Sequence, residues 1–168
     1  MSLFDLSGKV AVITGSSRGI GRAIAEQMAV QGAKVVISSR KIEACQEVAD
    51  AINAQHGAGT ALAVAANISS KEALQHLVDE ANRTFGKVDV LVCNAAINPH
   101  FGPAMTMADE VFDKMMATNV KSSMWLAHMC IPSMEARGGG SIVIISSIGG
   151  YRGSTTLGAY AITKAADL

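Results

Sequence analysis

A strand that runs straight into a glycine-rich turn and then a helix leaves few folds open, and residues 9–21, KVAVITGSSRGIG, have that form. The apolar residues 10–13 reach Thr14-Gly15, and Gly19-Ile20-Gly21 opens a helix-forming run. Glycine permits a tight turn and close approach of a ligand to the backbone, while the free N–H groups and dipole of the next helix favour negative charge. The stretch therefore predicts a phosphate cradle from Gly15, Ser17, Arg18, Gly19, Ile20 and Gly21. Its spacing, Gly-x-x-x-Gly-x-Gly, differs from the common dinucleotide fingerprint, and no Gly-Lys-Ser/Thr follows to make a P-loop. A purely structural glycine turn is the competing reading.

Strand and helix signals alternate through the rest of the chain. Residues 34–38, 61–66, 88–93 and 141–146 are β-branched or apolar runs, and residues 41–55 and 71–85 carry helical periodicity. Ser69-Ser70-Lys71-Glu72 predicts a capping box for the helix over 71–85, with Ala73, Leu74, Leu77, Val78 and Ala81 as its apolar stripe. Thr106-Met107-Ala108-Asp109 predicts a second box, opening a long helical region that reaches Arg137 with a break near Thr118 and stops at Gly138-Gly139-Gly140. A further helix begins after Thr156. Continuous apolar strands are those of a parallel sheet buried on both faces, so the expected fold is an α/β, doubly wound Rossmann-type sheet forming a single domain over 1–168. Ligands of such a sheet lie at the carboxyl ends of its strands.

Bulk properties narrow the function. At 168 residues with 14 basic and 14 acidic side chains, the chain has no charge excess to recruit nucleic acid or an anionic membrane. No apolar run approaches the roughly 18 residues of a membrane helix. Cys45, Cys93 and Cys130 have no paired spacing and no leader-like segment precedes them, which predicts a reducing, cytoplasmic compartment. The four histidines are scattered, with no spacing for a metal. His100 and Phe101, after the fourth strand, read equally as substrate flank or solvated loop. The methionines of the long helical region, with Trp125, read as core or as a helix-to-helix subunit contact.

At the end of the second strand, an acid would hydrogen-bond the ribose 2′-hydroxyl of NAD. Here the sequence is Ser38-Ser39-Arg40-Lys41. Arg40 can instead make a bidentate pair with a 2′-phosphate, Arg18 can close on it from the glycine turn, and NADP(H) is the expected cofactor. The plainer reading leaves Arg40 and Lys41 solvating a helix start.

Three separated elements then carry chemistry. Tyr160 and Lys164 stand at i and i+4 on one helix face, Ser147 closes the fifth strand, and Asn119 lies in the long helical region. Hydride transfer to a carbonyl leaves charge on oxygen and needs a proton donor. A cation about 4–6 Å away lowers a phenol's pKa by roughly 1–3 units, a role Lys164 is spaced to fill for Tyr160. Ser147 would hydrogen-bond the substrate oxygen, and Asn119 would hold a water for proton resupply. Singly, each is a common surface or turn residue.

Together these motifs resemble the classical short-chain dehydrogenases/reductases. The resemblance rests on Thr14-Gly15-Ser16-Ser17-Arg18-Gly19-Ile20-Gly21, Asn94-Ala95-Ala96, Asn119, Ser147 and Tyr160-x-x-x-Lys164, and spans the chain. It implies a tetrad of Asn119, Ser147, Tyr160 and Lys164, with Tyr160 and Lys164 also at the nicotinamide ribose. It implies too that Asn67-Ile68 lies beside the adenine and that Asn94-Ala95-Ala96 lines the cofactor and steadies the sheet. Ser38-Ser39-Arg40-Lys41 and Asn94-Ala95-Ala96-Ile97-Asn98-Pro99 look most like the NADPH-dependent carbonyl and retinal reductase branch. Ala96 replaces a glycine and Asn67 an aspartate of the family's usual pattern.

The expected function is an NADP(H)-dependent oxidoreductase of ketones, aldehydes or secondary alcohols, a homodimer or homotetramer at full length. A non-catalytic nucleotide-binding module is the alternative; a methyltransferase would need an acid where Ser39-Arg40 stands. Members of the resembled family continue for further strands, whereas this sequence stops inside a helical pattern with no glycine cap, as a fragment would. The strand over 141–146 is then expected to be an exposed apolar edge.

Overall fold

The computed structural model describes residues 3–168; Met1 and Ser2 of the expected 1–168 unit lie outside the described residues. Five parallel strands form one sheet: β1 (Val10–Thr14), β2 (Lys34–Ser39), β3 (Ala61–Ala65), β4 (Val90–Cys93) and β5 (Ser141–Ile144), in the order β3-β2-β1-β4-β5. Strand order reverses between β1 and β4, so the crevice where loops part to either side opens above their carboxyl ends.

Alternation along β1 explains the two layers. Ala11 and Ile13 point to one face, where they meet Ala25 and Ala29 of α1 (Gly19–Val30) and Val48, Ala49 and Ile52 of α2 (Ile42–His56). Val12 points to the other, toward Leu74, Leu77, Val78 and Ala81 of α3 (Lys71–Phe85) and Leu126, Cys130 and Met134 of α5 (Ser122–Ala136). The stripe expected on residues 71–85 is thus the face that packs. Between α3 and α5 run β4, a 3-10 turn at Ala104–Thr106, α4 (Asp109–Met116) and a π-helical turn at Ala117–Lys121; α6 (Gly158–Ala166) follows β5.

Both expected capping boxes require correction. Ser70, not Ser69, caps α3, accepting from the Ala73 N–H at 3.2 Å. The Ser69 hydroxyl bonds Thr118 Oγ1 instead, at 2.9 Å. The second box is absent: Ala108 is the N-cap of α4, and Thr106 donates to Pro103 O within its own 3-10 turn. The break expected near Thr118 is a widening of the helix rather than an end.

At the amino ends of the strands, Asp89 accepts from the Val10 N–H at 2.9 Å and pairs with Lys87 at 3.0 Å, clamping β1 to the start of β4. Burial raises the Asp89 pKa, but the hydrogen bonds from Lys87 and Val10 and the charges of Lys87 and Lys9 outweigh it, holding the carboxyl below its ordinary value.

Candidate active site

The glycine turn is built for close approach. Gly15 lies at φ +66°, and a Cβ there would meet Asn94 Nδ2 at 2.9 Å; a Cβ on Gly21 would meet Gly15 O and Asn94 Nδ2 at 2.5 Å. Gly19, at φ +58°, has nothing within 4 Å, so its glycine serves conformation and leaves open space. The start of α1 has no side-chain cap and no acid in its first turn, leaving its N–H groups free for an anion. Half-buried Ser17, with exposed Arg18 and Ile20, rims this opening. A dinucleotide's phosphates fit such a cradle.

Asn94 fastens the turn to β4. Its Nδ2 donates to Thr14 O at 2.8 Å and Gly15 O at 3.2 Å, while Thr14 Oγ1 accepts from the Asn94 and Ala95 N–H groups at 3.0 and 3.1 Å. Ala96 is exposed, so the methyl that replaces a glycine hydrogen displaces no core atom. On the other flank, Arg40 and Arg18 are exposed, and their guanidinium groups make no hydrogen bond or ion pair among the described residues. Ser39 is more committed: its Oγ lies 3.1 Å from Cys45 Sγ and accepts from the Lys41 N–H at 3.4 Å. Asn67 is exposed and accepts from the Ser69 N–H at 3.1 Å, and Ile68 packs on the core.

Asn119 occupies the π turn and is 2% exposed. Its Oδ1 accepts from the Ile97 N–H at 2.8 Å; its Nδ2 donates to Ile97 O at 2.9 Å and to Thr163 Oγ1 at 3.1 Å. Both amide protons are spent, and one Oδ1 lone pair remains for a water. Thr163 passes the link on, donating to Tyr160 O at 2.8 Å. The loop after β4, the π turn and α6 are therefore one hydrogen-bonded unit.

Lys164 Nζ lies 5.9 Å from the Tyr160 ring centroid. It donates to Ile145 O at 2.8 Å and to Asp167 Oδ2 at 2.7 Å, and Ser146 Oγ donates to Lys164 O at 2.8 Å. Ser147 Oγ accepts from the Gly149 N–H at 3.1 Å, which leaves its own proton to donate. Tyr160 and Ser147 are half-buried. Sequence reasoning gave no role to Thr14, Thr163 or Asp167; of these, Thr14 and Thr163 carried a signal in their places inside the glycine and Tyr160-x-x-x-Lys164 motifs. Cys93, beneath the site on β4, is buried, and burial pushes its thiol up to about 11.

The family pattern for short chain dehydrogenase matches residues 9–167. The chain belongs to the short-chain dehydrogenase family. This is a family of oxidoreductases. The chain is 41% identical to dehydrogenase/reductase SDR family member 4 of Sus scrofa over 97% of its own length and 58% of the relative's. It is 38% identical to tropinone reductase-like 3 of Erythroxylum coca, over 96% of this chain and 61% of that protein. Among solved structures, a 7α-hydroxysteroid dehydrogenase complexed with NADH and 7-oxo glycochenodeoxycholic acid superposes with a TM-score of 0.90 at 37% identity, covering 98% of this chain and 63% of that one. A short-chain dehydrogenase/reductase of Mycobacterium marinum gives 0.90 at 35%, covering 99% and 68%. The chain thus spans under two thirds of the curated relatives it matches. Among the described residues, no helix is long and apolar enough to cross a membrane.

Proposed function

We propose that the protein is an NADP(H)-dependent oxidoreductase that reduces a ketone or aldehyde, or oxidises the matching secondary alcohol. Tyr160 is the acid-base group, and residues 1–168 form its single cofactor-binding unit. The observation that carries this reading is the bond from Asn119 through Thr163 to the Tyr160 backbone carbonyl, with Lys164 Nζ 5.9 Å from the Tyr160 ring centroid. Gly15 to Gly21 would hold the pyrophosphate, Asn67 and Ile68 the adenine end, and Asn94 to Ala96 the wall beside the nicotinamide. Lys164 would bind the nicotinamide ribose.

The nicotinamide, when bound, supplies or takes up the hydride. Charge then develops on the substrate oxygen, where Tyr160 donates a proton and the free Ser147 hydroxyl proton adds a second hydrogen bond. The Lys164 ammonium stabilises the phenolate left behind, and a water on the spare lone pair of Asn119 Oδ1 would resupply the proton. Arg40 and Arg18, whose guanidinium groups are unpaired, with no acid among Ser38 to Lys41 at the end of β2, favour a 2′-phosphate over a bare 2′-hydroxyl, so the preference is for NADPH although the hydroxysteroid dehydrogenase neighbour holds NADH. Similarity to a tropinone reductase-like protein supports the reductase reading; a cytoplasmic setting follows from three unpaired cysteines, and a homo-oligomer is part of the same proposal. Because the relatives are longer, the 168-residue chain alone is proposed to bind cofactor without turning over substrate.

The test compares full-length protein with its Tyr160→Phe variant in NADPH-dependent reduction of a carbonyl panel. Loss of about 10²–10⁴-fold in kcat, with NADPH affinity unchanged, is expected. A Phe variant that keeps the parent's rate contradicts the assignment.

A further inference from the structure

Lys164 holds its charge in a dry place. Its side chain is 4% exposed and that of Asp167, nearly one turn further along the chain, 3%. Most i,i+3 ion pairs are solvated and count for little; an ammonium taken out of water needs a compensating charge and full hydrogen bonding. Both are present. Nζ donates to Asp167 Oδ2 at 2.7 Å and to Ile145 O, just past β5, at 2.8 Å. The same strand end is tied to the helix a second time by the bond from Ser146 Oγ to Lys164 O. An ammonium has three protons in tetrahedral directions. With two engaged, the direction of the third is set.

We propose that Asp167 is a positioning residue for the active site: with the Ile145 carbonyl it fixes the Lys164 ammonium, so that the remaining proton faces a ligand hydroxyl rather than wandering among rotamers. What that proton serves rests on the proposed function; the anchoring itself does not. The family motif that identifies the site ends at Lys164, so nothing in it assigns a role to position 167. The groups facing the pair are Tyr160 from the same helix, at 5.9 Å from Nζ to its ring centroid, and Cys93 from β4. Burial keeps Cys93 a neutral thiol at pH 7, with Asp167 adding to the rise and Lys164 opposing it, so no thiolate competes with Asp167 for the ammonium.

The test uses full-length ¹⁵N-labelled protein without cofactor, and records side-chain ammonium resonances, with Lys164→Met assigning the signal. The parent is expected to show a slowly exchanging Lys164 ammonium. Asp167→Glu keeps it at a shifted frequency, and Asp167→Asn loses it or exchanges it about tenfold faster as the charge-assisted bond is weakened. In turnover, Asp167→Asn lowers kcat on the order of 10–100-fold with the carbonyl KM nearly unchanged, as expected of a misplaced group, and Asp167→Glu recovers part of the loss. A parent with no protected Lys164 signal, an unshifted signal in Asp167→Glu, or parent-like exchange in Asp167→Asn overturns the proposal, and the first two hold even if Asp167→Asn fails to fold. A protected signal in a protein that reduces no carbonyl would instead refute the proposed function and leave the anchor standing.

Discussion

Within these 168 residues, which span under two thirds of the length of the relatives, β1 and β5 are apolar strands of one parallel sheet, yet every residue of β1 is buried and every residue of β5 is exposed. Ile13 is 0% accessible and Ile144 40%. The contrast extends to the elements around them. β1 and β2 sit between two packed helix layers, and their stability is that of a closed core. At the β5 and α6 end, position is set by individual bonds that span long stretches of chain: Asn119 to Ile97 and Thr163, and Lys164 to Ile145. The glycine turn rests on a closed core, whereas the candidate catalytic groups combine the partly buried face of α6 with these bonds, so a change in one region should be readable separately from a change in the other.

Truncating the two isoleucines tests this division at its widest. Ile13→Ala is expected to cost about 2–5 kcal/mol, since it opens a cavity in a filled core. Ile144→Ala, with its side chain already wetted, should cost about 1 kcal/mol or less. Denaturant unfolding of the 168-residue chain with unchanged slopes measures both. Equal losses would break the comparison.

A smaller effect is expected at the seam between the regions, where Asp89 joins β1 to β4. Its folded-state pKa lies below the ordinary 3.8, so its contribution is fully present above that value and is lost as pH falls through the lower folded value. Asp89→Asn should cost about 1 kcal/mol at pH 7 and flatten the acid limb of the stability curve below about pH 4. A variant whose loss persists undiminished at low pH would show that the carboxylate's charge is not the source.

The two regions also differ in how far they can be read from sequence. Helix α3 is legible to the residue because its stripe is local and strongly periodic. Its cap is displaced by one position because Ser69 is drawn to Thr118, a partner 49 residues away that no local pattern announces. Thr106 matches a capping box by spacing, but Pro103 turns the chain into a 3-10 turn whose carbonyl takes the hydroxyl. The residues proposed as a tetrad are picked out by motif resemblance. The bonds that orient them are not: Asp167 three residues after a lysine looks like any solvated helix pair until tertiary packing removes water from both. The sequence near Thr118 reads as a helix break, whereas the backbone there is absorbed into a π turn and the Asn119 side chain pairs with the Ile97 backbone.

The most direct test of the central claim is a calorimetric titration of NADPH and NADH into the full-length protein and into Arg40→Ala. A cradle that hands a 2′-phosphate to an unpaired arginine predicts NADPH tighter than NADH by about 10–100-fold, the equivalent of one charged hydrogen-bonded contact of roughly 1.5–3 kcal/mol, with the gap closing in Arg40→Ala. NADH binding as tightly as NADPH, or a preference that survives loss of Arg40, would contradict it.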